Sequence, residues 1–336
     1  MTESFKETFE KIAADVELHT GHLYILSKLD QENFELFQSI WPTIPTQRRR
    51  DIMRELVEIC EVNFEVCFDP VFFLGMADED ADVRTAAING LWENETTSLI
   101  GPLVHLLRTD PAVPVRATAA TALGKFVYLS ELEEIDQAQA LLAEEALLEA
   151  IHQAQEDVEV RRRAIEAIAY SGEAGVVDII ENAYYDENEK MQISAVFAMG
   201  RNADERWRPR VIVELDNPNT EIRFEAARAC GELEVQEAVP KLINLVEEDP
   251  DLEVQEMAIW AMGRIGGQLA REALELCLDN ENEVLALAAE DALDELNLFA
   301  GSFDLFDFDE DDFDDFFELD DDLNGHNGHN DPDYLH

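Results

Sequence analysis

The chain has 336 residues, of which 76 are acidic and 24 are basic, so its formal net charge at pH 7 is −52. Hydrophobic residues make up 46% of the chain, which excludes a protein that is disordered throughout. The negative charge excludes binding to nucleic acids or anionic membranes through the bulk electrostatic field. No stretch approaches the roughly 18 apolar residues of a membrane span, and the N-terminus is acidic where a secretion signal is basic. We therefore expect a soluble, cytoplasmic protein.

Residues 1–75 contain helical stripes but no repeat. Phe5, Phe9, Ile12 and Val16 recur at the spacing of one helical face. The polar side of this helix is acidic rather than basic, which argues against a helix that lies on a membrane surface. Because the end of a repeat array must close its core, we predict that residues 1–75 form a helical cap of degenerate hairpins.

A period begins near residue 76. An apolar anchor, usually followed by Arg, recurs seven times, and small residues follow most anchors at four and seven positions. Successive anchors are 32, 45, 31, 31, 32 and 30 residues apart. The anchors are Val83, Val115, Val160, Met191, Ile222, Val254 and Val284. A period of this length is typical of arrays of helical hairpins.

The remainder of each unit predicts two helices. Asp, Asn or Gln stands five residues before each anchor, and Pro follows it in three units, a combination typical of a turn before a helix. Glycine stands nine residues after four anchors, at Gly124, Gly200, Gly231 and Gly263, where we expect it to end the second helix in a left-handed conformation. One hairpin cannot bury its apolar stripe alone. The predicted fold is therefore an all-α solenoid of about seven stacked hairpins.

The unit VRxxAxxALG, best represented by residues 115–124, resembles the HEAT repeat, in particular the short HEAT-like repeats of phycobilin lyases. The resemblance covers residues 76–298 and implies a right-handed superhelix with the second helices on its concave face. It also implies a hydrogen-bonded ladder of turn Asp and post-anchor Arg side chains. The ladder residues would be Asp78, Arg84, Asp110, Arg116, Asn217 and Arg223. Gln192, Gln255 and Leu285 depart from this pattern, so we expect a neutral or absent ladder toward the C-terminus.

Two enzymatic activities come with this resemblance. Deoxyhypusine hydroxylases bind a di-iron centre through His-Glu pairs on successive repeats. Here no His precedes a Glu, and residues 76–298 contain only His105 and His152. We therefore expect no hydroxylase activity, no catalytic residue and no cofactor or dedicated metal site. Phycobilin lyases need no rigid catalytic motif, so a lyase or isomerase for a bilin chromophore stays open as an alternative.

Two features interrupt the array. The long step contains about 14 extra residues within 128–140, an insertion that lengthens a helix or a loop. Basic residues also concentrate in the middle of the array around one tryptophan, a composition typical of a protein-binding anchor. The partner-binding candidates are Arg161, Arg162, Arg163, Arg206, Trp207, Arg208 and Arg210, and Arg201 adds to the same concentration of basic residues. The alternative is a tryptophan that packs beneath its loop.

Residues 299–336 are predicted to form a disordered acidic-aromatic tail. From Gly301 to His336 there are 14 acidic residues and no Lys or Arg. Its phenylalanines are Phe303, Phe306, Phe308, Phe313, Phe316 and Phe317. Three interpretations stay open: a solvating tail, a linear segment that binds another protein, and a segment that docks onto the mid-array arginines. We expect weak divalent cation binding by the tail but no dedicated calcium site, because Asp312 stands where the calcium loop requires glycine.

The four cysteines are scattered and form no CxxC pair, so we expect small buried hydrophobic residues rather than disulfides. Taken together, the sequence predicts a monomeric, non-enzymatic scaffold or adaptor that binds another protein along its concave face. Besides the bilin lyase, the remaining alternative is an acidic binder that shields basic proteins.

Overall fold

The computed structural model describes residues 5–14 and 18–304, and the regular structure in these ranges is helical. No helix in these ranges combines the length and apolar composition needed to cross a bilayer. The first four helices are α1 (Phe5–Ala13), α2 (Thr20–Leu23), α3 (Gln31–Ile40) and α4 (Thr46–Val62). The first helices of the hairpins are α5 (Asp69–Gly75), α7 (Ile100–Thr109), α9 (Gln137–His152), α11 (Ala174–Tyr184), α13 (Arg208–Glu214), α15 (Val239–Glu248) and α17 (Gln268–Cys277). The second helices are α6 (Ala81–Gly90), α8 (Val113–Glu131), α10 (Val158–Ile168), α12 (Glu189–Asn202), α14 (Thr220–Glu232), α16 (Leu252–Ile265) and α18 (Glu283–Asp304).

The stack begins at α4, inside the predicted cap. This helix packs against α6 as each later second helix packs against the next one. Helices α1–α3 lie beside it through an aromatic cluster in which the ring centroids of Phe9 and Phe37 are 5.2 Å apart. The indole of Trp41 joins this cluster to the first turn of the array, because its N–H donates to Asp78 at 2.7 Å.

The seven hairpins follow the predicted period, which confirms the all-α solenoid. Second helices pack closely against one another along the whole stack, whereas first helices touch their successors more rarely. The second helices therefore lie on the inner, concave side of the curve. The last anchor differs from the prediction: Leu285 is buried and Val284 is exposed, so the final spacing is 285 − 254 = 31 residues.

The expectation that the regularly spaced glycines end the second helices is wrong. Gly124, Gly200, Gly231 and Gly263 all lie inside second helices, and none of them has a positive φ. A Cβ on Gly200 would lie 2.9 Å from the Cα of Ala229 on the next second helix. The glycines therefore permit close approach of neighbouring helices, since any larger residue would overlap an alanine backbone.

The turn chemistry is also shifted by two residues from the expectation. The side chain five residues before the anchor accepts a backbone N–H two residues on, as Asp110 does from Ala112 at 2.9 Å. The residue after that turn caps the helix in most repeats, as Asp251 does for α16. Of the cysteines, Cys60, Cys230 and Cys277 are buried as expected, but Cys67 is exposed.

Candidate protein-binding site

The ladder runs from the arginine of one repeat to the acidic residue of the next. The Arg84 guanidinium donates to both carboxylate oxygens of Asp110, at 2.7 and 2.8 Å, and both side chains are buried. It also donates to the carbonyl oxygen of Asp78 in its own turn at 2.8 Å. Asp78 in turn binds Arg49 of α4, with Nε and Oδ2 2.9 Å apart. The predicted ladder residues thus join adjacent repeats rather than the two helices of one hairpin.

The ladder contains both charged and neutral steps. Arg223 binds Asp249 at 2.6 and 2.9 Å, so the charged ladder returns near the C-terminus, contrary to the expectation. Burial raises the pKa of Asp249, but hydrogen bonds from Arg223 and a backbone N–H outweigh it, so the net pKa is lowered. Arg116 binds Glu156 instead, because Gln155 occupies the turn position at which the other charged steps have an aspartate.

Gln192 and Gln255 keep only the bond to their own turn. The amide of Gln192 donates to the carbonyl oxygen of Asp186 at 2.7 Å, and that of Gln255 donates to Asp249 at 2.9 Å. The residues that stand opposite in the following turns are Asn217 and Asn280, which are neutral as well. Wherever glutamine replaces arginine, asparagine replaces the facing aspartate, so no buried charge loses its partner. The ladder side chains therefore connect the turns of neighbouring repeats.

The mid-array arginines separate onto two sides of the solenoid. Arg206, Arg208 and Arg210 flank the first helix α13 and pair with the acidic residues Asp204, Glu205 and Glu181. Trp207 is 1% exposed, and its indole N–H donates to Asn202 at 3.0 Å. Of the two interpretations of Trp207, the structure therefore supports the tryptophan that packs beneath its loop, and the ring is not available as a surface anchor.

The concave face is formed by positions three, six and ten residues after each anchor, which share one face of the second helix. In the middle repeats these positions carry aromatic and charged residues. We call the following residues the central strip: Arg163, Glu166, Tyr170, Phe197, Arg201, Glu225, Arg228 and Glu232. The sequence prediction missed most of them. The periodicity could have found them, because they keep a constant offset from the anchors.

Two arginines of the central strip lie near aromatic rings, and each of its arginines pairs with a glutamate of its own helix or of the next second helix. The guanidinium carbon of Arg228 is 4.0 Å from the ring centroid of Phe197. Arg201 is 5.5 Å from the same centroid and pairs with Glu232 on the next helix at 3.2 Å. Three arginines thus face three glutamates, and the strip is electrically balanced.

The strip begins at Glu166, where α10 meets α12. Arg163 binds this carboxylate at 2.8 Å, and the hydroxyl of the buried Ser194 donates to it at 2.6 Å. Arg162 binds the same glutamate at 3.1 Å, whereas the side chain of Arg161 donates to the carbonyl of Ile151 at 3.3 Å. Of the three consecutive arginines, Arg163 thus has its guanidinium at the concave groove.

A groove of about 590 Å³ opens beside the strip between α8, α10 and α12. Its walls include Tyr128 and Tyr170, whose ring centroids are 5.2 Å apart, and its rim includes Arg163, Arg201 and Lys125. Tyr128 belongs to the part of α8 that the insertion lengthens. The insertion therefore supplies one wall of this groove. Burial lowers the pKa of Lys125, whose ammonium donates to the carbonyl oxygen of Trp92 at 2.8 Å.

Glu225 and Glu232 are the most perturbed acids of the strip. Burial raises the pKa of Glu225 to about 7, and this effect outweighs the attraction of Arg228, which contacts it. Burial also raises the pKa of Glu232. Oε2 of Glu232 is buried without a hydrogen-bond partner, whereas Oε2 of Glu225 forms the ion pair with Arg228. The strip therefore contains one desolvated carboxylate oxygen that an incoming donor could bind.

The two histidines of the array do not fit a di-iron centre. His105 and His152 are exposed on first helices, where His105 lies 3.4 Å from the hydroxyl of Thr109 and His152 contacts the carbonyl of Leu148. Within residues 5–14 and 18–304 no group of three His, Cys, Asp or Glu side chains is arranged to hold a metal ion. The predicted tail candidates from Phe306 onward lie outside the described residues, and so does the side chain of Phe303.

Comparison with known proteins identifies the repeats. Residues 70–146 and 208–294 match the family model for HEAT repeats, which confirms the expected repeat type. Deoxyhypusine hydroxylase of Candida albicans is 30% identical over 127 residues, which are 37% of this chain and 35% of the hydroxylase. The chain spans about a third of the length of the curated relatives that it matches.

The fold is shared with yeast importin-β, and a second similar structure is a phycocyanin lyase complex. Yeast importin-β is 11% identical, with a TM-score of 0.50 over 87% of this chain and 46% of its own. The phycocyanin lyase complex of CpcE and CpcF from Nostoc is 17% identical, with a TM-score of 0.44 over 68% of this chain and 94% of its own. At these identities the likeness concerns the fold alone.

Proposed function

We propose that this chain, which is a HEAT-repeat protein, is a scaffold or adaptor that binds another protein along its concave face. The observation that carries this proposal is the central strip. Buried and half-buried ion pairs, aromatic rings and one carboxylate oxygen of Glu232 without a hydrogen-bond partner line a preformed surface there. Such a surface binds with little loss of conformational entropy, because stacked helices already hold its side chains in place.

The electrostatics of the strip favour a protein over a small anionic ligand. Its arginines are already paired with glutamates, so a free anion would have to displace carboxylates that belong to the chain. A protein surface carries both signs of charge and can exchange ion pairs with the strip one by one. Aromatic residues and arginine are also the side chains that contribute most of the binding energy at protein interfaces.

Deoxyhypusine hydroxylase activity is not supported by these residues. The relatives of that name match over about a third of their length, and the His-Glu pairs that the resemblance attributes to that di-iron centre are absent from the sequence. What co-purifies with the chain distinguishes the two alternatives from the scaffold. A bound bilin chromophore would support the lyase, and salt-sensitive capture of many basic proteins would support the acidic binder.

We further propose that the acidic tail regulates access to the central groove. The rim of this groove carries Arg163 and Arg201 and its walls are aromatic, so tail carboxylates can exchange with Glu166 and Glu232 on these arginines while tail phenylalanines pack on the rings. Removal of residues 305–336 should then raise the affinity for the partner. An unchanged affinity would contradict this role of the tail.

A matched pair of charge reversals tests the scaffold. The tagged full-length chain would be used to isolate partners, which would be identified by mass spectrometry and titrated as purified proteins. Arg201→Glu changes the central strip, and Arg206→Glu makes the same change on the exposed opposite side. We expect Arg201→Glu to weaken binding of a titrated partner at least about tenfold and Arg206→Glu to leave it unchanged.

A second variant separates lost contacts from lost folding. Tyr128 is 45% exposed at the groove, so Tyr128→Ala removes surface without disturbing the core. We expect it to weaken binding while leaving the helical circular dichroism signal and the melting temperature unchanged. Full affinity in both Arg201→Glu and Tyr128→Ala, or a loss confined to Arg206→Glu, would contradict the proposed concave site.

A further inference from the structure

A second groove lies on the concave face near its C-terminal end, and it differs from the central one in charge. It has a volume of about 530 Å³ and lies between α14, α16 and α18. Its floor is apolar, with the half-buried side chains of Phe224, Met257 and Trp260. We call this the C-terminal groove.

The indole ring of Trp260, which forms part of this floor, packs against a glycine of the neighbouring second helix. A Cβ on Gly231 would lie 2.8 Å from Cζ3 of Trp260, so the indole lies directly against the glycine backbone. Trp260 stands six residues after its anchor, which is the offset that Phe197 has in the central strip. The ring thus belongs to the same row of concave positions.

The rim of the C-terminal groove is acidic and uncompensated. Glu253, Glu256 and Asp291 line it, and none of them takes part in an ion pair among the described residues. A fourth carboxylate, that of Glu295, is paired with Arg264 at 2.9 Å. In the central strip, by contrast, each glutamate pairs with an arginine, so the excess negative charge is specific to this groove.

The protein combines arginine, aromatic ring and carboxylate three times within its own fold. Arg228 lies on Phe197 beside Glu225. Arg201 lies near Phe197 and Tyr170 and pairs with Glu232. Arg210 lies near the Tyr184, Tyr185 and Trp207 rings and pairs with Glu181 at 2.5 Å. The C-terminal groove repeats the ring and the carboxylates, but in the part of the chain that the structure describes no arginine lies on the ring of Trp260.

We infer that the C-terminal groove binds an arginine-containing basic segment of the partner protein. A guanidinium stacked on Trp260 would gain the strongest cation–π attraction that a side chain offers, and it would donate to Glu256 or Asp291. Lysine fits less well, because its ammonium is more strongly hydrated and lacks the planar face that stacks on a ring. This inference rests on the proposed scaffold function and specifies the chemistry of its partner.

Fluorescence anisotropy on the full-length chain tests the inference. The probes are a labelled Gly-Ser peptide that carries several arginines and three peptides of equal length with lysine, citrulline or aspartate at those positions. Citrulline keeps the shape of arginine without its charge. We expect the arginine peptide to bind best, the lysine peptide several-fold more weakly, and the citrulline and aspartate peptides about 100-fold more weakly or not at all.

Uncharged substitutions separate this groove from the general negative field of the chain. Trp260→Ala leaves the net charge at −52 and should weaken binding of the arginine peptide about tenfold. Trp260→Phe, which keeps a ring and guards against a folding defect, should retain most of the affinity. The control is Trp92→Ala, since Trp92 is 51% exposed and lies outside this groove.

Equal binding of the citrulline and arginine peptides, or equal effects of Trp260→Ala and Trp92→Ala, would overturn the inference. Its failure can be distinguished from failure of the scaffold proposal. If the arginine peptide does not bind but Arg201→Glu still abolishes partner binding, only the chemistry of the C-terminal groove is wrong. If Arg201→Glu has no effect either, the concave binding site itself is wrong.

Discussion

Replacing Arg84 by glutamine tests whether matched charge stabilises the ladder. Gln192 shows that glutamine at this position still reaches the carbonyl of its own turn, at 2.7 Å. What Arg84→Gln removes is the two-pronged contact with Asp110, a residue that is 7% exposed. The buried carboxylate would keep one donor, the N–H of Ala112 at 2.9 Å.

The magnitude follows from this inventory. Removing one partner of a buried ion pair costs about 3–5 kcal/mol, and the retained N–H places the expected loss near the lower end, at about 3 kcal/mol. In Arg84→Gln with Asp110→Asn, the step becomes neutral, like the step at which Gln192 stands opposite Asn217. Asn217 accepts the equivalent N–H at 2.8 Å, so the double variant should lose only about 1 kcal/mol.

The four proteins of this double-mutant cycle would be unfolded in urea and monitored by circular dichroism. Amide hydrogen exchange would show whether the loss is local, because stacked repeats need not unfold in one step. Asp110→Asn leaves the buried Arg84 without a carboxylate and should likewise cost about 3 kcal/mol, so the coupling free energy between the two sites should be about 5 kcal/mol. If the double variant loses as much stability as the sum of the single variants, the cost does not come from an unpaired charge, and the reasoning is refuted.

Three further predictions concern packing, titration and thiol chemistry. Gly200→Ala should lower the unfolding free energy by about 1–3 kcal/mol because its Cβ would overlap Ala229, whereas Gly101→Ala, with open space around it, should be neutral or stabilising in the same urea experiment. The folded state binds a proton at Glu225 between its ordinary pKa and about 7, so wild-type stability should fall as pH rises through that window; Glu225→Gln should lack this fall, and parallel melting-temperature curves would contradict it. A thiol reagent near pH 8 should label Cys67 first, because burial raises the pKa of the other three thiols; modification of all four at one rate would refute this.

The sequence was sufficient for the architecture because the period depends on local rules. Buried anchors, small residues and turn-forming side chains recur at fixed offsets, and each offset corresponds to one place in the hairpin. The final repeat shows the limit of this method. Val284 and Leu285 are both apolar, and the flanking pattern of Ala289 and Ala292 identifies the second of them as the buried anchor.

The candidate site was harder to predict because it depends on contacts between repeats. Composition alone cannot distinguish Trp207, which is buried, from Trp260, which borders a groove, since both are tryptophans near charged residues. The direction of the ladder likewise requires knowing that Arg84 reaches forward by 26 residues. The burial of Trp207 and the contact between Arg84 and Asp110 both depend on how neighbouring hairpins pack, which the sequence of one repeat does not reveal.

The charged ladder is interrupted in the middle of the array, so the repeats there are connected in a different way. Ion pairs connect the turns from α4 to α10 in succession, but in the next two steps the ladder is carried by Arg161 and Gln192, which bind backbone carbonyls instead. There the concave face takes over the connection, through Ser194 to Glu166 and Arg201 to Glu232. The middle repeats are thus connected mainly by side chains on the concave face. A ligand that competes for those side chains should therefore change the curvature of the solenoid, so that ligand binding and curvature are coupled.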